Sequence, residues 1–264
     1  MKPTLASTIG LTLAFCAAAL AQDSSGDRIV VPARGSSQGR VVNCSLLNGA
    51  ITVRTHAGSD IVVEGGHNYR EDRHDGMHRI GSSDRGVEVV QDDNAVTIRN
   101  QNGNGAVTIT VPVDISLRLH TLSGGIAVDG VHGEVEVHTL NGEVNLTNVS
   151  GTVTADSQNG PIKVSMDSVN ASKPLTFSTL NGVVDITLPS DLKADLTVKS
   201  NHGAVYSDFD VTLGGSRAVT SRNGTSDGQY RIRLDNTIHG TINGGGVDLT
   251  IHTLNGAVYI RKKK

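Results

Sequence analysis

Residues 124–144, Gly-Gly-Ile-Ala-Val-Asp-Gly-Val-His-Gly-Glu-Val-Glu-Val-His-Thr-Leu-Asn-Gly-Glu-Val, decide the reading of this chain. From Gly124 the glycines recur at 133, 142, 151 and 160, a spacing of nine residues. Working outward, the same short phrase returns as Leu46-Leu47-Asn48-Gly49-Ala50-Ile51, Thr121-Leu122-Ser123-Gly124-Gly125-Ile126, Thr179-Leu180-Asn181-Gly182-Val183-Val184 and Thr253-Leu254-Asn255-Gly256-Ala257-Val258. Degenerate copies stand at Asn159-Gly160 and His202-Gly203. A fixed internal period marks a stacked repeat. Two nine-residue half-turns make one rung, which predicts an all-β solenoid of about 18-residue rungs. A twisted antiparallel β-sandwich built from the same Asn-Gly hairpins is the alternative.

The columns of the repeat alternate as a half-buried strand requires. Seven residues before each glycine stand Val42, Leu117, Val135, Val153, Leu175, Leu196 and Leu249; five before it stand Cys44, Leu119, Val137, Ala155, Phe177, Val198 and Ile251. Two after it come Ile51, Ile126, Val144, Ile162, Val184, Val205 and Val258. All of these are apolar. The column four before the glycine is polar throughout: Ser45, His120, His138, Asp156, Ser178, Lys199 and His252. Successive rungs about 4.8 Å apart would then stack like on like, with Asn141, Asn159 and Asn181 over one another at one corner. The Asn-Gly and Ser-Gly steps read as tight turns where positive φ is available.

Composition agrees. The 264 residues include 31 glycines and 31 valines but no tryptophan, three Phe and four Tyr. Valine enrichment suits pleated strands and argues against both disorder and a helical bundle. With 23 Lys+Arg against 26 Asp+Glu, no basic stripe and few rings for stacking, nucleic acid is excluded as a partner.

The N-terminus reads as a signal peptide over residues 1–21. Lys2 is a minimal positive region, Leu5 to Leu20 are mostly apolar, and Ala19-Leu20-Ala21 fits the small-x-small pattern before Gln22. An uncleaved anchor is disfavoured because Ser7, Thr8, Gly10 and Thr12 break the run, and Phe15 before Cys16 disfavours a lipoprotein site. The mature chain then carries Cys44 as its single cysteine, in a core column, with no further apolar run long enough for a transmembrane span. Residues 22–264 read as a single elongated β-repeat domain with insertions at 65–86 and 214–228. The first is charged and His-rich and is flanked by strand-like Ile61-Val62-Val63 and Val87-Glu88-Val89-Val90; the second is rich in Ser, Gly, Arg and Asn and precedes a strand at Tyr230-Arg231-Ile232-Arg233-Leu234.

The succession from Val128 to Val144, then Leu188-Pro189-Ser190-Asp191-Leu192-Lys193-Ala194-Asp195-Leu196-Thr197-Val198 and the terminal Thr253 to Ile260, resembles the bacterial putative-adhesin domain family of unknown function. In that family Thr-x-Ser-Gly-Asp-Val alternates with Gly-Val-x-Gly-x-Val. Here Asn-Gly usually replaces Ser-Gly, and the acidic residue after glycine survives as Glu134 and Glu143. The resemblance spans most of residues 40–261. It implies an extracytoplasmic bacterial β-repeat protein associated with the envelope, and it brings no catalytic residues or cofactor.

Three features invite chemistry. His67, His74 and His78, with Asp72 and Asp75, form a candidate metal site, although Gly76 interrupts the helical spacing and charge-rich insertions are usually solvated. His120, His138 and Asp156 fall on adjacent rungs of the outward column, but Ser178 and Lys199 show that this column accepts any polar residue. Calcium between rungs would need an aspartate column after the glycines, whereas Glu143-Val144-Asn145, Thr152-Val153-Thr154 and Pro161-Ile162-Lys163 stand there. No nucleophile elbow, phosphate loop or metalloprotease motif occurs. The sequence therefore points to a non-enzymatic extracytoplasmic protein, periplasmic, cell-surface or secreted, that offers an adhesin-like binding or scaffold surface to an envelope protein or glycan. A metal-responsive envelope protein and a solenoid polysaccharide-processing enzyme are the alternatives. The basic end Arg261-Lys262-Lys263-Lys264 reads as a solvated tail, with contact to anionic lipid as its second reading.

Overall fold

The computed structural model describes residues 28–33, 39–66, 87–100, 105–214 and 237–264. The chain opens with β1 (Arg28–Val31), β2 (Val41–Asn48), β3 (Ile51–His56), β4 (Ile61–Gly66), β5 (Val87–Gln91), β6 (Ala95–Asn100) and β7 (Ala106–Pro112). Next come β8 (Ser116–Ser123), β9 (Ile126–Asp129), β10 (His132–Asn141), β11 (Val144–Asn159), β12 (Ile162–Val169), β13 (Leu175–Asn181) and β14 (Val184–Leu188). It closes with β15 (Ala194–His202), β16 (Val205–Ser207), β17 (Val211–Leu213), β18 (Thr237–Ile242), β19 (Val247–Asn255) and β20 (Val258–Lys262). Both strand-like flanks of the first insertion are strands. The predicted strand at Tyr230–Leu234 lies outside the described residues.

The fold is a β-solenoid with two strand faces. On the first face β6, β2, β8, β10, the C-terminal half of β11, β13, β19 and β15 pair in that order, all parallel. On the second face β7, β3, β9, the N-terminal half of β11, β12, β14, β20 and β16 do the same. Parallel pairing along the whole middle rules out the antiparallel sandwich. The register is that of the sequence columns: Val135 faces Leu117 and Val153, and Asn141 faces Ser123 and Asn159.

The apolar columns fill the space between the faces. Val42, Leu117, Val135, Val153, Leu175 and Leu249 are at most 1% exposed. Side-chain volume is balanced between rungs, since the largest ring, Phe177, lies in register with the small Ala155. Filling the core at uniform density in this way avoids both voids and overpacking.

The Asn-Gly corner is held by a tighter constraint than a turn. Gly105, Gly49, Gly124, Gly142, Gly160, Gly182, Gly256 and Gly203 form one column, and the amides of all but Gly203 continue the interstrand ladder; Gly142 N, for example, donates to Asn159 O at 3.1 Å. A Cβ on Gly142 would lie 2.0 Å from the carbonyl oxygen of Gly124, and one on Gly182 2.1 Å from that of Gly160. Gly142, Gly160 and Gly182 do not adopt the left-handed region, so backbone approach and not positive φ selects glycine there. The turn-based expectation is corrected at these three positions, whereas Gly49, Gly105, Gly124 and Gly256 of the same column do adopt positive φ, between 145° and 157°. The threonine three residues earlier in the phrase also has a structural task. Thr139 Oγ1 donates to Gly124 O at 3.1 Å and Thr179 Oγ1 to Gly160 O at 3.1 Å, so these buried hydroxyls are satisfied by the carbonyls that exclude a Cβ.

The ends depart from sequence order. β2 and β3 sit between the rung of β6 and β7 and the rung of β8 and β9. At the other end β19 and β20 sit between the rung of β13 and β14 and that of β15 and β16. The first and last parallel rungs along the chain therefore sit one level in from the limits of the stack. Beyond the outer rungs the pairing turns antiparallel: β5 on β6, β4 on β7 and β1 on β4 at one end, β18 on β15 and β17 on β18 at the other. These short strands cover parallel edges that would otherwise template further pairing.

Candidate binding surface

Outward residues of the first face form two ladders eight strands long. One runs Arg99, Ser45, His120, His138, Asp156, Ser178, His252, Lys199; the other runs Thr97, Asn43, Arg118, Glu136, Thr154, Thr176, Thr250, Thr197. At the usual strand spacing the array spans about 34 Å. The inward residues that alternate with them are packed in the core, so these side chains project from a rigid backbone.

Charge along the face is uneven. Arg99 and Arg118 stand at the β6 end, where Arg118 Nε lies 3.4 Å from Glu136 Oε2 and His138 Nε2 lies 3.0 Å from Glu136 Oε1. Four threonines, Thr154, Thr176, Thr250 and Thr197, occupy the other half of one ladder. Asp156, Asp195 and Asp248 bring negative charge to that half. Arg99 and Arg118 escaped the sequence reading. Arg118 stands six residues before Gly124, and the rung of Arg99 breaks the spacing because its column glycine, Gly105, comes six residues after Arg99, whereas Gly49 comes four after Ser45.

Shallow recesses indent the surface among the described residues. One, of about 230 Å³, lies over β2 and is lined by Asn43, Ser45, Thr97, Arg99, Arg118 and His120, with Glu136 and His138 at its side. A second, of about 570 Å³, gathers Asp195, Asp248, His239 and the threonines around them. A third, of about 560 Å³, lies by Asp167, Asp191 and Lys193 at the corner opposite Asn-Gly.

Of the residues singled out from sequence, His120, His138 and Asp156 do stand in register on neighbouring strands. His138 hydrogen bonds Glu136, a partner that column spacing alone did not indicate. His67, His74 and His78 lie outside the described residues. Among the described residues no three His, Cys, Asp or Glu side chains converge as metal ligands would. Cys44 is 2% exposed, and burial pushes its thiol up to about 12. At the corner the asparagines form the expected ladder: Asn159 Nδ2 donates to Asn141 Oδ1 at 2.9 Å, Asn181 to Asn159 at 2.8 Å and Asn255 to Asn181 at 2.8 Å.

The basic C-terminus is not a loose tail. Arg261 grips Asp185 through Nε at 2.7 Å and Nη2 at 3.2 Å, and Lys263 Nζ contacts Asp167. Hydrogen bonding to Asp185 raises the Arg261 pKa further above its ordinary value. Lys262 lies over the Phe209 ring. These pairings leave less positive charge for an anionic membrane than the sequence run offers.

The family model described as Toastrack DUF4097 matches residues 42–244, which takes in every strand of the first face except β19. The chain belongs to this family. No curated protein matches it. Two solved structures are similar to this Toastrack chain. One is a putative cell adhesion protein from Clostridium sporogenes, 10% identical, with a TM-score of 0.45, covering 90% of this chain and 100% of its own. The other is a putative adhesin from Bacteroides fragilis, 10% identical, with a TM-score of 0.28, covering 90% of this chain and 98% of its own. No helix among the described residues is long and apolar enough to cross a membrane.

Proposed function

We propose that this Toastrack protein is a non-enzymatic, extracytoplasmic, adhesin-like binding or scaffold surface of the bacterial envelope, with residues 22–264 forming one elongated β-repeat unit. The eight-strand outward face carries the proposal. A ladder that repeats hydroxyl, amide, imidazole and charged groups at strand spacing suits a long, repetitive partner better than a compact small molecule, whose sites are concave and largely enclosed. The apolar run of residues 5–20, read from sequence as part of a signal segment, supports the compartment, and the Toastrack family supports the β-repeat context.

The test is to screen the purified secreted chain on a glycan array and against envelope fractions, beside a variant with Thr176→Glu and Thr250→Glu on the same face. Saturable retention that the double variant loses is the expected result. Chemical turnover of a retained glycan, or binding that ignores the substitutions, would defeat the proposal. The His67, His74 and His78 metal site stands as a separate proposal; zinc calorimetry on the protein and on its triple alanine variant decides it, and absence of binding ends it.

A further inference from the structure

Resting on the reading of the first face as a binding surface, we propose that the recess over β2 is an oxyanion subsite for a carboxylated polysaccharide. Its walls and floor come from the register. β2 presents the short side chains Asn43 and Ser45, while β6 on one side presents Arg99 and β8 on the other presents Arg118 and His120. Long side chains on strands two spacings apart, about 10 Å, flank a low floor on the strand between them. The trough is therefore open along the strand direction, as a polymer requires.

The donor chemistry matches a carboxylate. Two guanidinium forks point from opposite walls, and such forks bind planar oxyanions through paired N–H groups better than ammonium groups do. Glu136 stands 3.4 Å from Arg118 Nε and reaches it from β10, on the side of β8 away from the trough. Arg99 has no ion pair among the described residues; Glu88, its cross-strand neighbour on the covering strand, is already engaged in another interaction. Ser45, Thr97 and Asn43 add hydroxyl and amide groups of the kind that meet sugar hydroxyls, and the apolar side chains of Cys44 and Leu119 behind the trough point into the core. A peptide held by apolar anchors would need side-chain pockets of apolar character, which this lining does not provide. The carboxylates Asp156, Asp195 and Asp248 stand on the opposite half of the face, away from the trough.

The experiment titrates the full secreted chain with polygalacturonate, uncharged dextran, polyglutamate and inorganic phosphate by calorimetry at low and moderate salt. Polygalacturonate is expected to bind, dextran and phosphate not to, and Arg99→Ala and Arg118→Ala each to weaken binding about tenfold or more. Arg118→Lys, which keeps the charge and loses the fork, is expected to weaken it as well, whereas Lys199→Ala at the far end of the ladder leaves it unchanged. Circular dichroism checks that each variant is folded. Equal binding of polyglutamate would make the site one for acidic peptide, binding of inorganic phosphate would make it a general anion site, and unaltered affinity in both arginine variants would place the ligand elsewhere; each overturns the proposal. Absence of polygalacturonate binding ends this subsite alone, since the wider binding-surface reading is tested independently through Thr176 and Thr250.

Discussion

From β8 to β14 each rung is laid on the one before it, the pairing is parallel, and one column serves one purpose at every level. At the two ends the order of rungs departs from the order of the chain, and antiparallel strands close the faces. The middle is specified by repetition, because any residue that fits one rung fits the next. The ends are specified by exceptions, since a stack that only repeated would present open edges.

Substitutions at the corner glycines should separate the two regimes most sharply. Gly142→Ala puts a Cβ against the Gly124 carbonyl in the middle of the stack and is expected to cost more than about 4 kcal/mol in urea unfolding, or to prevent folding. Gly244→Ala, in a turn near the C-terminal cap with φ of 86° and nothing within 4 Å of the added atom, should cost only about 1 kcal/mol. Equal costs would show that the glycine column is not a packing constraint.

Core truncation should follow the same gradient. Phe177→Ala, fully buried in the middle, is expected to lose about 3–5 kcal/mol, against about 1 kcal/mol for the half-buried Val205→Ala in the last rung. Comparable losses would mean that the terminal rung is as well packed as the centre.

Cys44 extends the comparison to pH from the second rung. Its folded thiol holds its proton up to about pH 12, against a usual value of 9.0. Below pH 9 both folded and unfolded chains keep the proton and stability is unaffected. Between pH 9 and 12 only the unfolded chain releases it, so stability should fall, with a slope approaching about 1.4 kcal/mol per pH unit. A Cys44→Ala variant should lack this component of the decline, and alkylation of Cys44 in the native protein should be slow.

The smallest effect is expected at Arg40, just ahead of β2. The residue is 2% exposed; Nη1 donates to Ser59 O at 3.3 Å, while Nη2 is buried without a partner among the described residues. Arg40→Met should be neutral or stabilising by up to about 2 kcal/mol in thermal unfolding, because burying an imperfectly satisfied charge has a high desolvation cost. A marked loss of stability would show that the end rung depends on that guanidinium.

What could be read from the sequence follows the same division. The core columns, the glycine phrase and the asparagine ladder were legible because every rung repeats the physics of the last: an apolar side chain inward, a polar one outward, and a corner too tight for a Cβ. The order of the outer rungs was not legible, because Asn48 and Asn255 carry the same phrase as their neighbours and nothing in a repeat states which copy it lies upon. Arg99 was hidden for a related reason. Two more residues separate Ile98 from Val107 than separate Cys44 from Ile51, so Val96, Ile98 and Val107 join the core columns without keeping the period. Arg118 kept the period, yet its meaning depends on short Asn43 and Ser45 lying between it and Arg99, a relation that exists only once the rungs are stacked.

The placement of the C-terminal rung has a mechanical consequence. β19 is held between β13 and β15, and β20 between β14 and β16, with the Arg261–Asp185 clasp close to the last residue. Tension applied at that end would load a strand bonded along both sides, so several hydrogen bonds must slide together before any part comes free. An outermost strand pulled the same way could unzip bond by bond. A surface that must keep hold of something under drag gains grip from being pulled through its interior.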